Sequence, residues 1–258
     1  MLNFRHLGGE GNPPMIILHG LLGSSRNWVK AGKALASRFN VFALDLPNHG
    51  DSSSMPDMSF DAVSKWILEW MDERSLTSPI LLGHSLGGKV AMSLASGYPH
   101  RCKALAVVDI APREYEPHSQ AAIKAMCALD LKSIQSRRDA EDILRGDIPD
   151  LGLRRFMLTN LVWKDGLLAW QVNLTALLHS LPNLISSPMT GHSRYDGPAI
   201  FLKGEDSDFI KPEDEVVIQD RFPQSRLITI PQAGHNVHFD NLPFFVDTVF
   251  RCFYGLSV

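Results

Sequence analysis

Apolar positions along the chain fall into two alternating patterns. Short runs at Met15–Leu18, Val41–Leu44, Ile80–Leu82, Leu105–Val108, Ala199–Leu202 and Leu227–Ile230 predict strands. They are apolar at nearly every position instead of every second one. That suits strands covered on both faces, as in a parallel sheet. Helical spacing appears between them. Phe60–Arg74 carries Val63, Ile67, Leu68 and Met71 on one face, and Val90–Tyr98 and Val246–Tyr254 are patterned alike. Strand–helix alternation of this kind predicts right-handed βαβ crossovers and an α/β fold with a mostly parallel central sheet flanked by helices.

The alternation stops from about Pro117 to Ser187. Leu129–Leu144, Leu151–Val162 and Val172–Leu181 read as helices there, and no strand is expected. Pro112–Pro117 (PREYEP) leads into this stretch and Ser186–Gly191 (SSPMTG) leads out. The expected organisation is one discontinuous core, residues 1–112 and 190–258, with a helical cap over 113–189. No repeat of 20 to 50 residues is visible.

Composition narrows the function classes. The 258 residues are 45% apolar and 21% charged, with a net charge of −3, which are ordinary globular values. No basic run could follow a phosphate backbone, so nucleic-acid binding is not expected. Cys102, Cys127 and Cys252 are few and widely spaced, which gives neither a disulfide framework nor a C-x-x-C pair. A cytoplasmic setting is the expectation. The N-terminal residues lack the pattern of a signal peptide, and no apolar run reaches 18 residues, so no membrane span is expected.

The strongest chemical signal is Gly83-His84-Ser85-Leu86-Gly87, a G-x-S-x-G match between an apolar strand and an Ala-rich helix. Three fixed positions alone occur by chance in roughly a tenth of chains this long. The strand–turn–helix context is what marks a nucleophile elbow, where a sharp turn lifts the serine hydroxyl above the sheet. A second segment, His19-Gly20-Leu21-Leu22-Gly23-Ser24, directly follows the first long strand. Acyl transfer needs backbone N–H donors aimed at the developing oxyanion. The residue after the nucleophile, Leu86, and Leu21 in this early loop are placed to supply them. His19 reads as a structural side chain of that loop.

Ten histidines compete for the role of base. His235 follows the strand LITI through Pro231-Gln232-Ala233-Gly234 and lies 150 residues after Ser85, in the chain order serine, acid, histidine. His238 is its local competitor. The acid is ambiguous from the residues alone. Asp206 and Asp208 sit in the loop after the sixth central strand, and Asp109 ends the strand before it. Both places are strand C-termini, the active face of an open α/β sheet.

These segments resemble the α/β-hydrolase superfamily along nearly the whole chain, and within it the small bacterial esterases of the YbfF type and their abhydrolase-domain relatives. The resemblance is carried by HGLLGS (19–24), DLPNHGDS (45–52), GHSLGGK (83–89), VVDIAP (107–112), WQVNL (170–174), KGEDSDFI (203–210) and AGHNVH (233–238). It implies a triad of Ser85, Asp109 and His235. The position that carries the acid in many superfamily members is Ser207 here, a departure the YbfF-type subgroup shares. Ser207 is then a helper that hydrogen-bonds His235. Asp45 and the turn Asn48-His49-Gly50 are expected to be structural, and Lys89 has no assigned role. Trp170 and Asn173 are expected in the cap, lining the substrate site with Phe209 and Phe239.

The chemistry expected of this set is a serine hydrolase that cleaves short to medium acyl esters or thioesters through an acyl-enzyme, with no metal or organic cofactor and a small-molecule ester as its partner. C–C bond hydrolases and cofactor-free haloperoxidases use the same three groups and remain the alternative. A non-catalytic ligand-binding protein on this fold is the reading of a different class.

Overall fold

A computed structural model describes residues 1–253 of the chain. The predicted C-terminal helix therefore ends, at Tyr254, outside the described residues. The core elements follow in chain order: β1 (Phe4–His6), β2 (Pro14–Leu18), α1 (Val29–Leu35), β3 (Asn40–Leu44), α2 (Phe60–Asp72), β4 (Ile80–His84), α3 (Leu86–Gly97) and β5 (Ala104–Val108). A long excursion then carries α4 (Gln120–Ala128), α5 (Arg137–Ile143), α6 (Leu151–Leu158), β6 (Leu161–Lys164), β7 (Leu167–Trp170) and α7 (Leu174–Ile185). The chain returns to the core with β8 (Ala199–Gly204), α8 (Asp214–Arg221), β9 (Ser225–Ile230), the short α9 (Val237–Asp240) and α10 (Leu242–Phe253).

Among the described residues the main sheet has seven strands in the order β1-β3-β2-β4-β5-β8-β9. All pair in parallel except β1, which runs antiparallel to β3. Each parallel strand divides its apolar side chains between two cores. Ile16, Leu18, Leu81, Leu105, Val107 and Phe201 face α2 and α3, whose Val63, Ile67, Trp70, Val90 and Leu94 close that side. Met15, Ile17, Ile80, Leu82, Ala106, Ile200 and Leu202 face α1 and α10, with Leu35, Phe245, Val249 and Phe253. This two-sided burial is why the strands read as unbroken apolar runs.

The excursion departs from its pattern in three places. The predicted helix Leu129–Leu144 forms only as α5. Asp130 accepts from the Lys132 N–H and Ser136 from the Asp139 N–H, so local side-chain acceptors divert the backbone before Arg137. α4, just upstream, was not predicted. The predicted helix Leu151–Val162 stops at Leu158, and a two-stranded hairpin follows where no strand was expected. Its turn is Asp165-Gly166, both at positive φ, 52° and 78°. That is the two-residue turn that joins antiparallel strands, and Asp-Gly is a favoured sequence for it. Strand β1 also went unpredicted, since three residues at a sheet edge give little periodicity.

Candidate active site

The site gathers where β4, β5, β8 and β9 end. Ser85 sits between β4 and α3 at φ 51° and ψ −116°, a conformation L side chains rarely adopt. Glycines flank it for steric reasons. A Cβ at Gly83 would lie 2.2 Å from the Gly87 carbonyl oxygen, and one at Gly87 would lie 2.3 Å from that of Leu18. The Ser85 N–H donates to the Val108 carbonyl of the neighbouring strand at 3.0 Å, which fixes the turn against β5.

Asp109 follows β5 at φ 53° and is fully buried. Its carboxylate accepts from His235 Nδ1 at 2.8 Å, from the Gly204 N–H at 3.0 Å, and from the Ser207 hydroxyl. Of the three candidate acids, Asp109 is therefore the one that meets His235. Asp206 and Asp208 are exposed in their loop. Ser207 bonds Asp109, not His235 as expected: its hydroxyl donates to Oδ2, the same carboxylate oxygen that accepts from His235 Nδ1.

His235 follows β9 and is flanked by two rings. Phe209 stacks on it at 3.7 Å between centroids, and His84 lies 4.6 Å away. His84 Nε2 donates to the His235 main-chain carbonyl at 2.9 Å. Burial holds the His84 imidazole well below its ordinary pKa, so it serves as a neutral brace. Its position, inside the G-x-S-x-G motif, was the available sequence signal. His238 packs on Trp28 with centroids 3.8 Å apart, and burial pushes it down to about 3. Among the described residues His238 Nδ1 meets no hydrogen-bond partner, whereas that of His235 meets Asp109, which makes His235 the candidate.

The loop after β2 carries the donor side. Among the described residues, neither the Leu21 nor the Leu86 N–H donates to a protein acceptor. Both residues line the cavity beside Ser85. Their neighbour Leu22 is held at φ 61°, its N–H donating to His49 Nε2 at 3.1 Å. His49 Nδ1 in turn donates to the Pro47 carbonyl at 2.9 Å. His19 repeats the device, accepting from the Leu46 N–H through Nε2 at 2.9 Å and donating to the Gly20 carbonyl through Nδ1 at 2.8 Å. Asp45 ties the same loops together by accepting from the Ser25 and Asp51 N–H groups and from Asn3. These side chains are scaffolding for the Leu21 loop.

Neutral buried histidines leave a measurable mark. Burial puts His49 and His238 each at about 3, against an ordinary value of 6.5. Below pH 6.5 the unfolded chain binds protons that the folded chain refuses, so stability is full above that pH and falls toward pH 3. Each such histidine contributes up to about 1.4 kcal/mol per pH unit to the slope. Denaturant unfolding at pH 7 and pH 5 is expected to show a smaller difference for His238→Phe than for wild type. Phenylalanine keeps the stack on Trp28, and His238 Nδ1 has no partner to lose. An unchanged difference would refute the assignment.

The cavity over Ser85 has a volume of about 810 Å³. Leu86, Ile110, Phe156, Met157, Leu181 and Leu184 make its wall greasy, and the exposed Phe239 stands at its edge. Phe209 lies in its lining. Trp170 and Asn173 do not reach it. Trp170 pairs with Leu161 in the hairpin, and Asn173 caps α7, accepting from the Ala176 N–H at 3.1 Å and donating to Ser54 at 3.2 Å. Lys89 finds a structural place. Its buried ammonium donates to the carbonyls of Ile185 and Ser186, each at 2.7 Å, and so caps the C-terminus of α7. Among the described residues no carboxylate lies within ion-pair distance of it, and burial lowers it to about 7.

Sheet order, elbow geometry and the placement of this cavity define an α/β hydrolase. The match to known proteins agrees. A family model described as the alpha/beta hydrolase fold matches residues 13–130. The chain is 37% identical over 257 residues to the sn-1-specific diacylglycerol lipase ABHD11 of Mus musculus, covering 96% of this chain and 83% of that protein. It is 30% identical to the esterase YbfF of Escherichia coli K12, covering 89% and 88%. A solved structure described as a marine microorganism esterase superposes with a TM-score of 0.92 at 35% identity, over 97% of this chain and 98% of that one. The chain belongs to the α/β-hydrolase family. Among the described residues no helix is long and apolar enough to cross a membrane.

Proposed function

We propose that this protein is a serine hydrolase of carboxylic esters, with Ser85 as nucleophile, His235 as general base and Asp109 as the group that orients it. One observation carries the reading: Asp109 grips His235 Nδ1 at 2.8 Å beneath an apolar cavity that also exposes a serine on a strained elbow. Among the described residues no hydrogen bond joins Ser85 Oγ to His235, and catalytic bonds of this kind tighten as the reacting complex forms.

In this reading His235 takes the Ser85 proton as Oγ attacks the acyl carbonyl. The C–O π pair moves onto oxygen, and the N–H groups of Leu21 and Leu86 hold that charge. His235 then gives its proton to the leaving alcohol, and the acyl-enzyme remains on Ser85. Water, deprotonated by His235, releases the acid by the same steps. The relatives named as esterases and as a diacylglycerol lipase support an ester substrate. The expected acyl chains are short to medium, with thioesters included, and the excursion between β5 and β8 acts as the cap that shelters them. Three cysteines, none of them bridged, support a cytoplasmic setting.

A p-nitrophenyl ester series from acetyl to palmitoyl tests the reading. Turnover should peak at one chain length, and a fluorophosphonate should label Ser85. A folded wild type that hydrolyses no member and takes no label would overturn it.

A further inference from the structure

Phe209 does more than wall the cavity. Its ring lies almost parallel to the His235 imidazole, with centroids 3.7 Å apart and planes 16° from coplanar. Its main chain is tied at both ends. The Phe209 N–H donates to Ser207 Oγ at 3.3 Å, and the Tyr115 hydroxyl donates to the Phe209 carbonyl at 2.6 Å. Ser207 in turn donates to Asp109 Oδ2, the oxygen that accepts from His235 Nδ1. Asp109, Ser207, Phe209 and His235 thus form a closed loop of three polar contacts and one aromatic stack.

The outer support is equally fixed. Tyr115 Oη accepts from the Ala111 N–H at 2.8 Å, and the Tyr115 ring stacks on Phe209 at 5.9 Å. The Arg113 guanidinium lies 3.9 Å over Tyr115 and is pinned to the buried Asp214 of α8 at 2.8 Å. Phe209 is therefore held from both sides of the chain, not left free to follow a substrate.

A single hydrogen bond through Nδ1 leaves an imidazole free to rock about that bond, which would swing Nε2 away from Ser85. A ring fixed flat against one imidazole face removes that freedom. The same face attracts the ring once it carries a positive charge, as aromatic faces attract cations.

We propose that Phe209 is a positioning residue for the base: it holds the plane of the His235 imidazole so that Nε2 addresses Ser85, and it stabilises the imidazolium formed when Ser85 is deprotonated. The proposal rests on the reading of Ser85 and His235 given above.

The test compares Phe209→Leu, which keeps apolar volume, with Phe209→Tyr, which keeps the ring, in the full chain. Steady-state kinetics on a p-nitrophenyl ester is paired with NMR of the His235 ring protons, identified through their loss in His235→Gln. In Phe209→Leu, kcat should fall about tenfold with KM close to wild type, and the His235 signals should lose the ring-current shift that Phe209 contributes, leaving that of His84. Phe209→Tyr should restore both. If Phe209→Leu fails to fold, Phe209→Met serves in its place. Unchanged kcat, or a change confined to KM that varies with acyl length, would make Phe209 a substrate wall and overturn the proposal. A wild type without ester turnover would instead sink the ester-hydrolase reading. In that case the NMR still decides the stack, since His235 signals unmoved by Phe209→Leu would overturn it.

Discussion

Ser85→Ala is expected to lower kcat for ester hydrolysis by about 10⁴-fold or more while the fold survives. The substitution removes the atom to which the acyl group would be transferred, so no acyl-enzyme can form. What remains is whatever the oxyanion donors and the cavity can do with bulk water, and residues that act as a unit lose nearly everything when one is removed. The fold should tolerate the change for a local reason. Ser85 Oγ holds no partner among the described residues, so alanine leaves no buried donor or acceptor orphaned. The strain at φ 51° is the same for either side chain, because both carry a Cβ. Thermal unfolding should therefore stay near wild type while fluorophosphonate labelling disappears. A loss of less than tenfold in turnover would rule Ser85 out as nucleophile.

The same variant separates two meanings of the cavity. If the apolar wall formed by Leu86, Ile110, Leu181 and Leu184 binds acyl chains, Ser85→Ala should still bind the unhydrolysed ester, with an affinity that follows chain length.

How much of this was legible in the chain depends on the range of the interactions involved. The buried strands announced themselves because parallel pairing covers both faces, so β2, β4 and β5 are buried at nearly every position and carry apolar runs there. The elbow was legible because its glycines are a local steric necessity at Gly83 and Gly87. The choice among Asp109, Asp206 and Asp208 was not legible from spacing. It depends on β5 and β8 lying side by side, which sequence separation hides and only the resemblance supplied. The excursion was misread for the opposite reason. Its elements are short, and their ends are set by single side chains such as Ser136, Asp150 and Asn173, each capping a helix. Asp165-Gly166 was a readable hairpin signal that the apolar pattern around it obscured. The cage about His235 was legible only in part: the resemblance paired this histidine with Asp109, but the packing of Phe209 and His84 on its ring was not legible. His84, Phe209 and Asp109 come from three separate segments, and only the folded sheet brings their rings and carboxylate together.

Asp109→Asn should be nearly as damaging to turnover as removal of the serine, with a loss of about 10⁴-fold in kcat. The argument is one of donors and acceptors. Three groups point at this carboxylate, and all three donate: the Gly204 N–H, the Ser207 hydroxyl and His235 Nδ1. An amide offers one acceptor oxygen and one donor nitrogen in the same volume. If the oxygen stays with Gly204, the NH₂ faces His235, and the imidazole must turn its Nδ1 into an acceptor. The proton then sits on Nε2, the atom that has to receive the proton of Ser85, and the base is blocked. If the amide turns over, the NH₂ meets the Gly204 N–H at full burial, and that clash costs about 1–3 kcal/mol of stability. Either arrangement harms the enzyme, and they can be told apart. The first loses kcat at an unchanged unfolding midpoint, while the second keeps Nδ1 as a donor and loses stability instead, with kcat lowered only by the missing carboxylate charge. Asp206→Asn and Asp208→Asn should do neither, since both side chains are exposed. Full activity in Asp109→Asn together with loss in either of those two would move the acid to the loop after β8.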